Sequence, residues 1–308
     1  MLASVRLDRF SASSINTGDT IFNPALGFAR FEGDDFKASY EASIRYDFGG
    51  VLAYATYAEN NALETNDGGG VEVDRIDQDN FVADSNLAEF GVKAGRRDLF
   101  ASIAVYRQER QRSDPFGNLD AETSKGVEAE LKYLISDNWS LTSAVTLQEA
   151  RIAAPGPCGS GNGEFIVLPP SWLAIAGADG YGGLFAALNA SCVPELQNGY
   201  KRRTTPDVMA SGFLTYTSLR TEFGVFGATA GVLYVGETGG KITGAVRLPD
   251  YALGKASFFW RRNNISINAH VDNLFDKRHF IPVQNVYEEV GVLPGRGREF
   301  SITLKATF

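Results

Sequence analysis

Glu299-Phe300-Ser301-Ile302-Thr303-Leu304-Lys305-Ala306-Thr307-Phe308 alternates polar and apolar residues without a break. In an extended chain Phe300, Ile302, Leu304, Ala306 and Phe308 share one face, and Glu299, Ser301, Thr303, Lys305 and Thr307 share the other. Such a period of two specifies a β-strand with a greasy side and a wet side. The stretch finishes on an aromatic residue, whereas terminal residues of water-soluble domains are usually frayed and polar. Phe308 is therefore expected to sit within the sheet.

The same signature recurs upstream. Phe36, Ala38, Tyr40, Ala42, Ile44, Tyr46 and Phe48 alternate with Lys37, Ser39, Glu41, Ser43, Arg45 and Asp47. Segments 88–94, 127–133 and 265–271 repeat it. Noisier strands are read near 99–108, 139–149, 208–217 and 223–235, and weaker ones at 51–58 and 251–260. With Leu2, Ser4, Arg6 and Asp8 opening another strand, the chain holds about twelve, as expected for an all-β antiparallel meander.

Connection lengths select the architecture. Breaks at 48–50, 95–98, 135–138, 219–222 and 261–264 are short, and Asp47-Phe48-Gly49-Gly50, Ser136-Asp137-Asn138 and Arg262-Asn263-Asn264 carry tight-turn chemistry. The intervening breaks, 11–35, 60–85, 112–121, 153–203, 237–248 and 276–294, are longer and rich in Gly, Asn and Pro. Short and long connections alternate, so all short turns fall at one end and the long loops are expected at the opposite rim. That segregation is the pattern of a transmembrane β-barrel, and strands of this length match the ~9–11 tilted residues needed to cross a bilayer. Aromatic girdles are expected at Tyr46, Phe48, Trp139, Trp260 and Phe308 near the turns, and at Tyr57, Tyr106 and Tyr251 near the loops.

Composition agrees. Hydrophobic residues make up 44%, and no apolar run is long enough for a transmembrane helix. This suits a wall in which only alternate residues meet lipid. Lys and Arg number 29 against 37 Asp and Glu, a net charge of −8, which argues against nucleic acid as a partner. The two cysteines, Cys158 and Cys192, both lie in the longest loop. A bridge between them would close a local ring in an oxidising compartment and contribute about 3–4 kcal/mol; two free thiols are the alternative.

Val271-Asp272-Asn273-Leu274-Phe275-Asp276-Lys277, the aromatic-ended final strand, Ser124-Lys125-Gly126-Val127-Glu128 and Thr205-Pro206-Asp207 resemble TonB-dependent outer-membrane receptors. The element Asn273, Leu274, Phe275, Asp276 is the most specific; the chain departs from the pattern at His279, where a tyrosine is common. The resemblance covers 1–308 but only the C-terminal portion of the family's barrel, which has 22 strands and a plugged lumen. It implies a location in the bacterial outer membrane, contact with outer-membrane lipid, and Phe308 as an assembly signal for the barrel assembly machinery. It also implies coupling to the TonB complex through a plug that has no counterpart in this sequence. Neither a signal peptide nor a plug is read here, so the chain is expected to be a fragment.

Chemistry is sparse. Ser266, Asn268, His270 and Asp272 share a face, but residues two apart on one strand are ~7 Å apart, so Ser266 and His270 do not make a nucleophile–base pair and no enzyme is expected. Two histidines in total provide no metal-ligand cluster, and Gly159-Ser160-Gly161-Asn162-Gly163 follows no buried strand, so no cofactor is expected. Lys201-Arg202-Arg203 reads as a solvated rim or an anion-attracting patch, and Asp67-Gly68-Gly69-Gly70 as a loop tip. The resemblance leaves two functions. In one, the chain belongs to a ligand-gated transporter for a small molecule such as a siderophore: Trp172, Tyr181, Phe185 and Tyr200 help capture the ligand, and Lys37, Glu41, Arg45, Glu128, Glu130 and Lys132 line the lumen. The alternative is a plugless barrel acting as a passive channel or structural protein.

Overall fold

A computed structural model describes residues 1–17, 28–65, 69–113, 119–154, 199, 201–240, 246–282 and 292–307. Twelve strands make one antiparallel sheet: β1 (Leu2–Thr17), β2 (Phe28–Asp47), β3 (Val51–Leu63), β4 (Val82–Arg96), β5 (Leu99–Ser113), β6 (Leu119–Leu134), β7 (Trp139–Ala154), β8 (Val208–Thr217), β9 (Val225–Val235), β12 (Tyr251–Arg262), β13 (Ile265–Asp272) and β16 (Glu299–Ala306). Each pairs with the next in that order, and β1 and β16 are the sheet's two edges. Two small hairpins, β10 (Thr238–Gly240) with β11 (Val246–Leu248) and β14 (Phe280–Pro282) with β15 (Val292–Pro294), stand in the long connections and touch each other through β10 and β14. Among the described residues one short helix, α1 (Val73–Asp77), lies between β3 and β4.

Because every neighbour in the sheet is antiparallel, the tight connections gather at one end and the long ones at the other, as the loop lengths predict. The turns are built as their residues require. Asp47 Oδ1 accepts hydrogen bonds from the Gly49 and Gly50 N–H groups at 2.8 and 3.0 Å, and both glycines take positive φ. Between Arg262 and its partner Ile265, Asn263 turns the chain at φ 51°.

Strands run farther than alternation alone predicts. The expected break at 11–35 is largely sheet: Ser11 pairs with Asp34, and the ladder continues to Thr17 opposite Phe28. Similarly, β6 begins at Leu119, inside the expected break at 112–121. The reason is physical. Crossing hydrocarbon takes only ~9–11 residues, so a 20-residue strand such as β2 rises beyond the bilayer, where nothing demands an apolar outer face. Ser, Asp and Gly there extend the ladder while hiding the period.

Register separates the faces. On the outer face, Val92 of β4 pairs with Ile103 of β5, Ile103 with Ala129 of β6, and Ala129 with Val145 of β7. At the final edge Ala269 pairs with Ile302 and Ile267 with Leu304. Val5, Leu7, Phe36, Phe90, Ile103, Ile302 and Leu304 are all exposed. A contiguous apolar face of this extent is untenable in water and is what lipid covers. The buried apolar side chains among the described residues are few, namely Ile76, Phe81, Ala83, Ala121, Ala150 and Leu248; the strands have no compact core of the soluble kind.

The outer face yields one test. Ile103→Arg near the bilayer midplane is expected to cost ~2–4 kcal/mol, whereas Ala104→Arg on the inner face, in register with Glu128, is expected to be close to neutral. Urea titration of the folded protein in lipid vesicles measures both. Equal costs would mean that the sheet is buried on two sides.

Aromatics form the turn-end girdle. Trp139 and Tyr216 rings lie 5.0 Å apart, Tyr216 and Phe226 6.3 Å apart, and Tyr46 and Phe48 4.5 Å apart. Trp260 belongs to the same band, its Nε1–H donating to the Phe223 carbonyl at 2.8 Å. At the loop end Tyr57 is on the outer face, beside Tyr40 at 6.0 Å. Tyr106 and Tyr251 depart from the expected girdle. Register puts them opposite Glu89 and Val235 on the inner face, where Tyr106 Oη donates to Gln148 Oε1 and the Tyr251 ring stacks on His279 at 4.5 Å. Ring chemistry alone does not tell lipid from lumen; parity of the strand position does.

Candidate functional site: the inner wall and its outer rim

The second face of the sheet is polar. Lys37, Glu41 and Arg45 of β2 and Glu128, Glu130 and Lys132 of β6 all project to this side, as the alternation predicts. Several of its charges pair along their own strand: Arg6 with Asp8 at 2.5 Å, Lys37 with Asp35 at 2.9 Å, and Lys132 with Glu130 at 2.8 Å. These pairs are solvent-exposed, so they contribute little to stability. They define the electrostatics of the wall instead.

Aromatic rings lie flat against glycines on this wall. A Cβ on Gly91 would stand 2.5 Å from the Tyr54 ring, one on Gly126 2.8 Å from Tyr106, one on Gly227 2.4 Å from Phe259, and one on Gly231 2.3 Å from Phe213. Each glycine sits on the strand beside its aromatic. Interior glycines weaken a strand unless something must approach closely; here the approaching group is a ring, and the result is a wall of low relief. Tyr54 is also pinned by its Oη–H, which donates to Glu89 Oε1 at 2.5 Å, and by Lys93 Nζ, 4.7 Å from the ring centre.

At the loop end the connection between β3 and β4 folds over the inner face of β1 and β2. Phe81 is fully buried, and its ring and Ile76 occupy the space that a Cβ on Gly33 would need, at 2.7 and 3.2 Å. The Glu64 N–H donates to the Phe81 carbonyl at 2.9 Å, closing the base of the loop. Nothing in the alternation pattern announces this arrangement; a glycine in mid-strand opposite a loop aromatic is the one signal available.

The basic trio resolves into distinct roles. Arg202, largely buried, pairs with Glu122, and Lys201 pairs with Asp207. The Arg203 carbonyl accepts from the Gly239 N–H at 2.9 Å. Together with Arg247, Tyr234 and Thr238, Lys201 and Arg203 line a rim cavity of about 180 Å³. Gln148 joins this rim to the wall, donating through Nε2 to the Pro206 carbonyl at 3.0 Å while accepting from Tyr106.

Asn273, Leu274, Phe275 and Asp276 form a clamp where the loop between β13 and β16 begins and ends. Asn273 is buried at φ 48°. Its Nδ2 donates to the Lys277 and Arg296 carbonyls at 2.9 and 3.1 Å, and its Oδ1 accepts from the Lys277 N–H at 2.8 Å. Asp276 Oδ1 accepts from the Arg298 N–H at 2.9 Å, and the Leu274 N–H donates to the Gly254 carbonyl at 2.8 Å. The Phe275 ring rests against Gly254 on the outer face. The motif is thus a structural lock across a loop. Asn273→Ala removes three bonds at a buried position, and a loss of about 1–3 kcal/mol is expected by urea titration; Asn273→Asp restores the acceptor alone and should fall between Ala and the parent.

His270 Nε2 lies 2.8 Å from Asp272 Oδ2, and Lys255 Nζ lies 2.8 Å from Asp272 Oδ1. Ser266 sits in register with Arg261 and Lys305, while the cross-strand neighbours of His270 are Ser257 and Ser301. Ser266 and His270 are not brought together. Cys158, Cys192, Trp172, Tyr181, Phe185, Tyr200, Phe308 and the glycine-rich 159–163 run lie outside the described residues, as do Asp67 and Gly68 of the loop tip at 67–70.

A barrel-type sheet with lipid-facing and lumen-facing sides and all long loops at one rim is the architecture of an outer-membrane receptor. The family model for the TonB dependent receptor-like β-barrel matches residues 1–274, and the chain belongs to that family. No curated protein sequence matches it. Among solved structures it is similar to the siderophore receptor PiuA from Acinetobacter baumannii, with 17% identity and TM-score 0.70, covering 98% of this chain and 40% of that one. The ferric yersiniabactin uptake receptor FyuA from Yersinia pestis gives 16% identity and TM-score 0.67, covering 99% and 42%. The ferric-catecholate import receptor Fiu from E. coli K12 gives 17% and 0.62, covering 99% and 42%. The chain therefore spans about two-fifths of the length of these receptors. At these identities the likeness establishes the fold. Members of the family are outer-membrane receptors and transporters rather than enzymes.

Proposed function

We propose that residues 1–308 form the C-terminal part of the barrel of a larger outer-membrane receptor that takes up an iron–siderophore complex. The observation that carries this reading is the sheet itself. Its twelve strands have a lipid face, a polar inner face and, among the described residues, unpaired edges at β1 and β16, while the receptors it resembles are chains about two and a half times longer, named for siderophores and ferric chelates. In this reading the rim formed by Lys201, Arg203, Gln148 and Arg247 meets the ligand together with Trp172, Tyr181, Phe185 and Tyr200. Asn273 and Asp276 hold the loop frame, Phe308 directs assembly, and the TonB complex supplies energy through a plug.

The test is uptake of radiolabelled iron presented on defined siderophores by a receptor-null strain carrying the full-length gene. Accumulation that stops when an uncoupler collapses the inner-membrane gradient is expected. Uptake indifferent to the uncoupler would instead support a passive channel.

A further inference from the structure

The inner wall is divided by charge. On β1, β2, β4, β5 and β6 it carries Arg6, Asp8, Lys37, Glu41, Arg45, Glu89, Lys93, Arg110, Glu128, Glu130 and Lys132. Across β7, β8 and β9 the inner positions from Ser140 to Ala150, Met209 to Thr217 and Val225 to Val235 contain no ionisable side chain. Charge returns on β12 with Lys255 and Arg261.

Hydroxyl and amide groups occupy much of the uncharged span. Ser140, Thr142, Thr146 and Gln148 climb β7 from the turn end to the loop rim. Near the turns a lateral row crosses the strands, with Ser140 opposite Thr215, Thr215 opposite Thr229, and Thr229 opposite Ser257. The Thr215 and Thr229 hydroxyls are 2.9 Å apart, within hydrogen-bond distance. Phe213 and Phe259 lie against Gly231 and Gly227 here, in the space that a Cβ on either glycine would need, so these two rings hug the wall. From the charged β6 to the charged β12 there are four interstrand steps of about 4.8 Å, or roughly 19 Å.

We infer that this uncharged strip on β7–β9, lined with hydroxyls on β7 and β8 and at Thr229, is the track along which a polar, hydrogen-bonding solute crosses the barrel. The inference rests on the uptake reading above and adds where on the wall the passage lies. A fixed charge either traps a solute of opposite sign or repels one of like sign, and conduction needs contacts that are favourable yet weak and multiple. Neutral hydroxyls supply contacts of that kind, since each hydrogen bond exchanged with water is worth only about 0.5–1.5 kcal/mol net. Together, the low relief and the span from β6 to β12 suit a bulky hydrated chelate.

Two measurements on the full-length receptor in intact cells test this. In the first, Thr146→Lys and Thr229→Lys place a long cation on the track, while Thr56→Lys and Ser102→Lys place the same group on the charged side. All four positions are polar and inward-facing. Uptake of ferric siderophore is expected to fall about tenfold or more for the first pair, the equivalent of a contact turned into a trap or barrier of one unit charge, and to stay near the parent's for the second pair. In the second, cysteines at 146, 215 and 229, with Cys158 and Cys192 replaced by serine, are expected to react with a membrane-impermeant cationic thiosulfonate faster than cysteines at 56 and 102. Equal losses of uptake from both pairs, or equal thiol reactivity at all five positions, would overturn the track. If the parent itself takes up no siderophore, the uptake reading fails, and the thiol rates alone decide whether a water-filled track follows β7–β9.

Discussion

Phe81→Ala is expected to release the loop between β3 and β4 from the inner face of β1 and β2. Phe81 is the only fully buried large side chain among the described residues, and its ring fills the notch left by Gly33. Truncating a buried phenylalanine costs about 3–5 kcal/mol, and since about 1.4 kcal/mol is one decade in an equilibrium constant, local opening should rise by roughly two to three and a half orders of magnitude. The effect falls on the loop rather than on the whole sheet, because the strands are held by their own ladders and α1 packs mainly against β1 and β2. Proteolysis of intact cells with an added protease reports it as faster cleavage between residues 64 and 81. Gly33→Leu should give the same result from the opposite side of the contact, with Phe81 unchanged. A cleavage rate unaffected by either substitution would show that the loop is anchored elsewhere.

The lipid face and the meander are legible in the sequence because hydrocarbon and water impose a strict period of two. Ile302 and Leu304, Lys37 and Glu41, Glu128 and Glu130 all lie on the sides their parity requires. Legibility fades where that pressure ends. Above the bilayer, residues 11–17 and 28–35 keep their ladder but lose the apolar face, so the sheet continues where the pattern reads as loop. Tyr106 and Tyr251 mislead for a related reason: an amphipathic ring suits an interfacial girdle and a polar wall equally well. The Phe81 contact, the pairing of Arg202 with Glu122, and the rings over Gly91 and Gly231 depend on residues far apart in the chain. Periodicity is local, and such contacts leave no mark on it.

The Asn273 clamp is an intermediate case. Its four residues stand out as a motif, yet the reason for them appears only when Lys277, Arg296 and Arg298 come within reach. Loop ends converging on one buried asparagine make a local string informative about a distant one.

The largest effect concerns the sheet's edges. β1 offers the outer side of a 16-residue strand and β16 that of an eight-residue strand, and among the described residues neither finds a second partner. In hydrocarbon each unsatisfied N–H or C=O costs several kcal/mol, so an open sheet of this kind cannot rest in a bilayer. Either further strands complete a wider barrel, or β1 pairs directly with β16 and closes a twelve-stranded one. Residues 1–308 alone, refolded from urea into lipid vesicles, are expected to give aggregates without the heat-dependent gel shift of a closed barrel. Cysteines introduced at Val5 and Leu304, on the outer faces of the two edges, should form no intramolecular disulfide. A monomer that resists detergent, shifts on heating and joins those cysteines would instead establish the plugless channel, because the sheet would then need no other strands. The two outcomes separate on geometry alone: a 12-stranded barrel encloses a narrower lumen than one of 22, and only closure of the narrower one brings β1 against β16.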